Sequence, residues 1–203
     1  MTWQDQLKGD SLAWLLETEN PAVRYLALRD LMGLPSDDPE LQSARRAAHQ
    51  RGPIADVLEN MDAKGFWVAP GPGYLPKYKS TVWALVLLAQ LGAQVQEDER
   101  ICQACNYLLE SAFTEYGQFT MSGSPSGTID CLQGNLLWSL LELGFEDARL
   151  EKAVDWMARS LTGEGIAPMS ERHASLRYYA GKCAPGFACG ANNNLPCAWG
   201  DAV

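Results

Sequence analysis

Arg100-Ile101-Cys102-Gln103-Ala104-Cys105-Asn106-Tyr107-Leu108 returns 49 positions later as Arg149-Leu150-Glu151-Lys152-Ala153-Val154-Asp155-Trp156-Met157. The basic residue, the aliphatic residue, the alanine, the aromatic and the final apolar residue keep their places. Their spacing of three and four is that of a helix with one apolar face. Upstream of each copy lies a more uniformly apolar run that stops at a glycine: Thr81 to Leu91 closes as LLAQLG at Gly92, and Leu136 to Leu143 closes as SLLELG at Gly144. Glycine in that place reads as a helix C-terminal stop. The unit is therefore a helical hairpin, with an acidic opening before its second helix, and Leu41-x-x-Ala44 after Gly33 is a fainter copy about 60 positions earlier.

The same reading extends to both ends. Ser11 is placed to cap a first helix, and Asn20-Pro21 opens a second that runs to Met32. Asp37-Asp38-Pro39-Glu40 opens a third, running to about Gln50, with acids near the positive end of its dipole. Ile54 to Met61 reads as a short fourth helix. After each amphipathic helix comes a glycine beside an aromatic or apolar residue: Gly65-Phe66-Trp67, Gly117-Gln118-Phe119 and Gly163-Glu164-Gly165-Ile166. A stretch rich in Gly, Pro and Ser then leads to the next helix. No run of alternating β-branched residues competes with this pattern, so the expected fold is all-α, consecutive helical hairpins in one repeat domain over residues 1–203. Leu195 to Gly200 reads as the first turn of a further helix, so that either Asp201 to Val203 is a frayed end or this is the front part of a longer protein lacking its C-terminal repeats.

Composition bounds the partners. Hydrophobic residues make up 47% and charged residues 20%, an ordinary globular balance. Sixteen Lys and Arg against twenty-five Asp and Glu leave a net charge of -9, which repels a phosphate backbone and argues against nucleic acid. The longest apolar run, Val82 to Ala93, is shorter than the roughly 20 residues of a membrane span. Met1 to Lys8 lacks the pattern of a secretory signal, so a cytoplasmic location is expected, where structural disulfides are rare.

The stretches NPAVRYLALRDL, GPGYLPKYKSTVW, PSGTIDCLQGNLL, LTGEGIAP and RYYAGKCAPGFACGANNNLPCAWG, together with the Gly-aromatic turns, resemble the α/α-toroid proteins. That superfamily holds squalene and terpene cyclases and protein prenyltransferase β subunits. The chain looks most like an uncharacterised bacterial group of prenyltransferase/squalene-oxidase-repeat proteins, over nearly all of Trp14 to Gly200. The resemblance implies a partial α/α toroid, since a complete one closes with more hairpins than this chain encodes. It does not transfer an active site: the DxDD acid motif of the cyclases is absent, and Asp130-Cys131 are adjacent where prenyltransferases carry Asp-x-Cys for zinc.

Two groups of residues carry candidate chemistry. Basic and aromatic residues interleave at Tyr74, Lys77, Tyr78 and Lys79 before one inner helix, and at Arg172, Arg177, Tyr178, Tyr179 and Lys182 before another. With Trp67 and Trp83 they form a candidate edge for an apolar or diphosphate-bearing small molecule. The opposing reading is solvated loop charges and core tryptophans. The second group is Cys131, Cys183, Cys189 and Cys197, with His173 in reserve. Four thiolates, or three with the imidazole, would make a tetrahedral zinc site; a disulfide or packed thiols are the alternatives. Cys102 and Cys105 form CxxC inside a helix and read as small core residues, and His49 reads as a cation on a polar helix end.

Two functions follow. One is a toroid-like helical-repeat binding or scaffold protein with a cysteine-rich loop stabilised by zinc. The other is a prenyltransferase- or terpene cyclase-like enzyme acting on an isoprenoid or other apolar substrate. Oligomeric state has no signal in the sequence.

Overall fold

The computed structural model describes residues 11–162, with Gln6, Gly9 and the pairs 188–189 and 195–196. The fold is all-α. In chain order the helices are α1 (Ser11–Leu15), α2 (Pro21–Leu26), α3 (Pro39–Gln50), α4 (Pro53–Glu59), α5 (Thr81–Gln90), α6 (Glu99–Ala112), α7 (Asp130–Glu142) and α8 (Arg149–Thr162). A π-helical turn, Ala27–Leu31, extends α2, and a 3-10 turn, Pro125–Gly127, precedes α7. The one ladder among the described residues pairs Ala188–Cys189 (β1) antiparallel with Leu195–Pro196 (β2). Leu195–Pro196 is thus extended rather than helical, since a proline that ends a two-residue strand offers no N–H to the ladder and suits an edge; Cys197 to Gly200, the rest of the expected turn, lie outside the described residues.

Packing follows the apolar pattern. α5 and α7 are buried around much of their circumference, through Val82, Ala84, Leu85, Leu88 and Ala89 on one and Leu132, Leu136, Leu137 and Leu140 on the other. They pack against each other and against α6 and α8 respectively. α6 and α8 bury one stripe each, Ile101, Ala104, Cys105, Leu108 and Leu109 in α6 and Leu150, Ala153 and Trp156 in α8. A helix apolar nearly all round belongs in a core, and one with a stripe belongs outside it. α2 and α3 form a smaller cluster of Tyr25, Leu28, Leu41 and Ala44. The Arg29 to Glu142 ion pair, 3.0 Å, ties the extension of α2 to the end of α7.

Gly92 shows why the stop must be glycine. Its φ is +76°, and a Cβ there would lie 2.6 Å from the Tyr25 ring. The close approach lets α2 seat against the end of α5.

The helix starts repeat as well as the stops. Asp98 accepts from the Arg100 backbone N–H at 3.0 Å and from its guanidinium at 2.6 Å. Asp147 does the same with Arg149, at 2.8 and 2.7 Å. By contrast Asn20 makes no side-chain cap, although Asp38 caps α3 through the N–H groups of Glu40 and Leu41.

These caps set an acid dependence. The Arg149 side chain and N–H hold the Asp147 carboxyl down to about 2, from an ordinary 3.8; Arg100 lowers Asp98 in the same direction. A carboxyl whose folded pKa is depressed stabilises the fold above its ordinary value, and that contribution fades as pH falls towards the folded one. Asp147→Asn keeps an acceptor for the helix N–H and removes the charge, so its urea stability should fall less steeply than that of the parent between about pH 4 and 2. Asp147→Ala should cost about 1 kcal/mol at neutral pH, the usual worth of an N-cap. A parallel pH dependence in parent and Asn variant would count against the pairing.

The two hairpins differ in one respect. Val154 and Leu161 of α8 are 53% and 42% exposed, whereas Cys105 and Ala112, at the equivalent places of α6, are buried.

Candidate functional site

A cleft of about 310 Å³ opens where α4, the Gly65 turn and the start of α5 meet. Its walls include Asp56, Asn60, Trp67, Tyr78, Lys79 and Trp83. Three segments supply them, and each is fixed by bonds that can be traced. The Trp67 backbone N–H donates to Thr81 Oγ1 at 3.2 Å, and its indole N–H donates to the Val57 carbonyl at 2.8 Å. The ring therefore lies between the end of α4 and the first turn of α5.

The loop from Val68 to Ser80 is strapped from both sides. The Gly71 N–H donates to the Tyr107 hydroxyl at 2.6 Å, and Tyr107 in turn packs on Phe66, ring centroids 5.4 Å apart. Ser80 Oγ donates to the Gly73 carbonyl at 2.7 Å, and the Val82 N–H reaches that same carbonyl at 3.1 Å. Gly73 crosses the helix start closely enough that a Cβ on it would meet Thr81 Cβ at 2.6 Å. These straps hold Tyr74 and Tyr78 against Trp83, at 5.6 and 4.9 Å between centroids, with tilted planes. Trp83 donates its indole N–H to the Tyr74 carbonyl at 2.8 Å. Tyr78 is 78% exposed and has φ +64°, a conformation that costs a non-glycine residue free energy and is kept here by the straps.

Lys77 and Lys79 diverge. Lys79 lines the cleft. The Lys77 ammonium stands 5.6 Å above the Tyr74 ring, and its pKa is raised first by the hydrogen bond with Tyr74 and in smaller part by the Cys131 thiol.

Of the residues expected at a binding edge, the structure thus gathers Trp67, Lys79 and Trp83 in one cleft, with Tyr74 behind Trp83 and Lys77 turned to Tyr74. Arg172, Arg177 and Lys182 lie outside the described residues. Asp56 and Asn60 carried no signal in the sequence: Asp56 lies on the short helix α4 and Asn60 just after it, and they line the cleft because the Tyr78 loop lies opposite.

Of the thiol set, Cys131 occupies the first turn of α7, and Cys189 belongs to β1, which packs against α7. Cys183, Cys197 and His173 lie outside the described residues. Among the described residues no three His, Cys, Asp or Glu side chains are grouped to hold a metal ion. Cys105 is buried and Cys102 half-buried, both free thiols in the α6 packing, and burial pushes the Cys105 thiol well above its ordinary range.

His49 corrects the expectation of a solvated cation. It is buried, its Nδ1 lies 2.8 Å from the Arg45 carbonyl, and its Nε2 accepts the Gln94 backbone N–H at 3.0 Å. Nε2 as acceptor makes this the neutral ring with its proton on Nδ1. His49 thereby ties α3 to the loop after α5. It edges a second, more polar cleft of about 430 Å³ that mixes Arg46 and Arg100 with Glu59, Glu97 and Asp98.

No helix among the described residues is long and apolar enough to cross a membrane. Comparison with protein-family models, curated proteins and solved structures finds no match for this chain.

Proposed function

We propose that this chain is a ligand-binding helical-repeat protein, built as part of an α/α toroid, whose cleft at Trp67, Tyr78, Lys79 and Trp83 takes up a small organic molecule. The observation that carries the reading is the aromatic cradle around Trp83. An exposed tyrosine is held in an unfavourable backbone conformation beside a half-buried tryptophan, with one lysine and one carboxylate at the rim. Apolar walls with a few convergent polar groups are what small-molecule sites are made of. The toroid assignment is supported by the 49-residue register of hairpins, in which α5 and α7 pack together while α6 and α8 each bury one stripe.

The test uses the full chain with its indole nitrogens labelled. Ring-shaped fragments should shift the indole signals of Trp67 and Trp83 and leave that of Trp156 in place. Tyr78→Ala should weaken the response about tenfold, the worth of one good aromatic contact. Fragments that bind without moving Trp83 would defeat the proposal.

Zinc held by Cys131, Cys183, Cys189 and Cys197, with His173 as reserve ligand, is a second part of this reading. It is supported by the placement of β1, which carries Cys189, on the helix whose first turn carries Cys131. Elemental analysis of the purified chain, with and without Cys189→Ser, decides it.

A further inference from the structure

We infer that the molecule suited to the Trp83 cleft is an uncharged, hydroxyl-rich ring, a pyranose unit of a neutral oligosaccharide, rather than a diphosphate or a purely apolar chain. The inference rests on the cleft being a binding site and adds the class of ligand.

Three features of the cleft lead there. First, the indole N–H groups of Trp67 and Trp83 are both engaged by backbone carbonyls, at 2.8 Å each. Trp67 is buried in the core, so the ring surface offered to a ligand is that of half-buried Trp83, which presents no free donor. The face of an aromatic ring is its negative side, and the weakly positive C–H face of a pyranose lies well against it.

Second, the rim is balanced in charge. Lys79 and Asp56 both line the cleft, and among the described residues neither is in an ion pair. A diphosphate would gain one lysine and face one carboxylate, on a chain of net charge -9. An apolar chain would strip water from both charges and return no hydrogen bond. A sugar hydroxyl donates and accepts at once, so adjacent hydroxyls satisfy the acceptor-only carboxylate of Asp56 and the donor-only ammonium of Lys79 together. Asn60, whose Nδ2 already donates to the Asp56 carbonyl at 2.7 Å, keeps its amide oxygen for a third hydroxyl.

Third, the upper wall is Tyr78, mostly exposed yet fixed by the straps on its loop. A ring stacked against it stays open to solvent on one edge, which an oligosaccharide continuing beyond the cleft requires.

The experiment is saturation-transfer NMR on the full chain with maltotetraose, cellotetraose, xylotetraose and chitotetraose as probes, and with inorganic pyrophosphate and decanoate as comparators. At least one neutral sugar should take up saturation at its ring C–H protons. Tyr78→Ala should weaken it about tenfold at an unchanged melting temperature, and Asp56→Asn and Lys79→Ala should each weaken it while leaving the fold intact. Sugar binding untouched by Tyr78→Ala overturns the inference. Pyrophosphate or decanoate binding that depends on Tyr78, with no response to any sugar, overturns the ligand class and leaves the cleft standing. If neither the probes nor the fragments move Trp83, the cleft itself falls.

Discussion

Gly117→Ala is expected to destabilise the chain by about 3 kcal/mol or more, equivalent to roughly a 10 °C fall in melting temperature for a chain of this size. Gly117 has φ +94°, and a Cβ built on it would lie 2.3 Å from the Lys152 carbonyl oxygen and 2.8 Å from the carbonyl carbon. Both atoms belong to the backbone of α8, so no rotamer change relieves the contact. Either the turn or the helix must move, and the turn also carries Phe119, buried and edge-on to Phe113 at 5.1 Å. The same device occurs one unit earlier: Gly65, φ +92°, would bring a Cβ to 3.0 Å from the Gln103 carbonyl oxygen of α6. Gln103 and Lys152 are themselves 49 positions apart. The Gly65 and Gly117 turns are thus the points at which one hairpin seats on the amphipathic helix of the next. Gly33→Ala supplies the comparison, because Gly33 has φ +64° with nothing near its missing Cβ. It should cost only the backbone strain, about 1 to 2 kcal/mol. Equal losses at Gly33 and Gly117 would show that conformation alone matters and that the seat on α8 contributes nothing.

Periodicity made the hairpin register legible, because Ile101 and Leu150 must face inward for either helix to bury its stripe. It could not show what covers a stripe. Val154 and Cys105 share a register position, yet only the cysteine is buried, since the covering hairpin is a tertiary matter. His49 was misread for a related reason: its acceptor nitrogen answers an N–H of Gln94, 45 positions away, and no local pattern announces that bond. The acidic openings of α6 and α8 were visible, but not the return of Arg100 and Arg149 onto their own caps. At the cleft, the aromatic residues stood out by type. The pairing of Tyr78 with Trp83 did not, because it depends on a loop whose course is set by the contacts of Gly71 and Gly73. Asp56 and Asn60 were invisible, since exposed polar residues at a short helix take a role only from the loop placed opposite them.

Gln133→Ala should be the other large loss, about 2 to 4 kcal/mol, and it tests a buried polar contact between α7 and the Gly117 turn. Gln133 is buried on α7. Its Oε1 accepts the Phe119 backbone N–H at 2.8 Å, while its Nε2 donates to the Phe119 carbonyl at 2.8 Å and to the Ile129 carbonyl at 2.7 Å. One amide thereby satisfies both backbone groups of the residue that follows the Gly117 turn, much as Thr81 serves the Trp67 N–H one unit earlier. Truncation leaves a buried N–H and a buried carbonyl without that partner and opens a void beside Phe119. Gln133→Glu separates the hydrogen bonds from the volume. The ionised side chain keeps the size and the acceptor for the N–H, but sets a second oxygen against two carbonyls. It must take up a proton to restore a donor, so this variant should be less stable than the parent at neutral pH and recover part of the loss as pH falls through the range where its carboxyl protonates. Urea melts of the three proteins across that range read the result directly. A Gln133→Ala loss under 1 kcal/mol, or a Gln133→Glu variant whose stability relative to the parent ignores pH, would show that Phe119 is held by apolar packing alone.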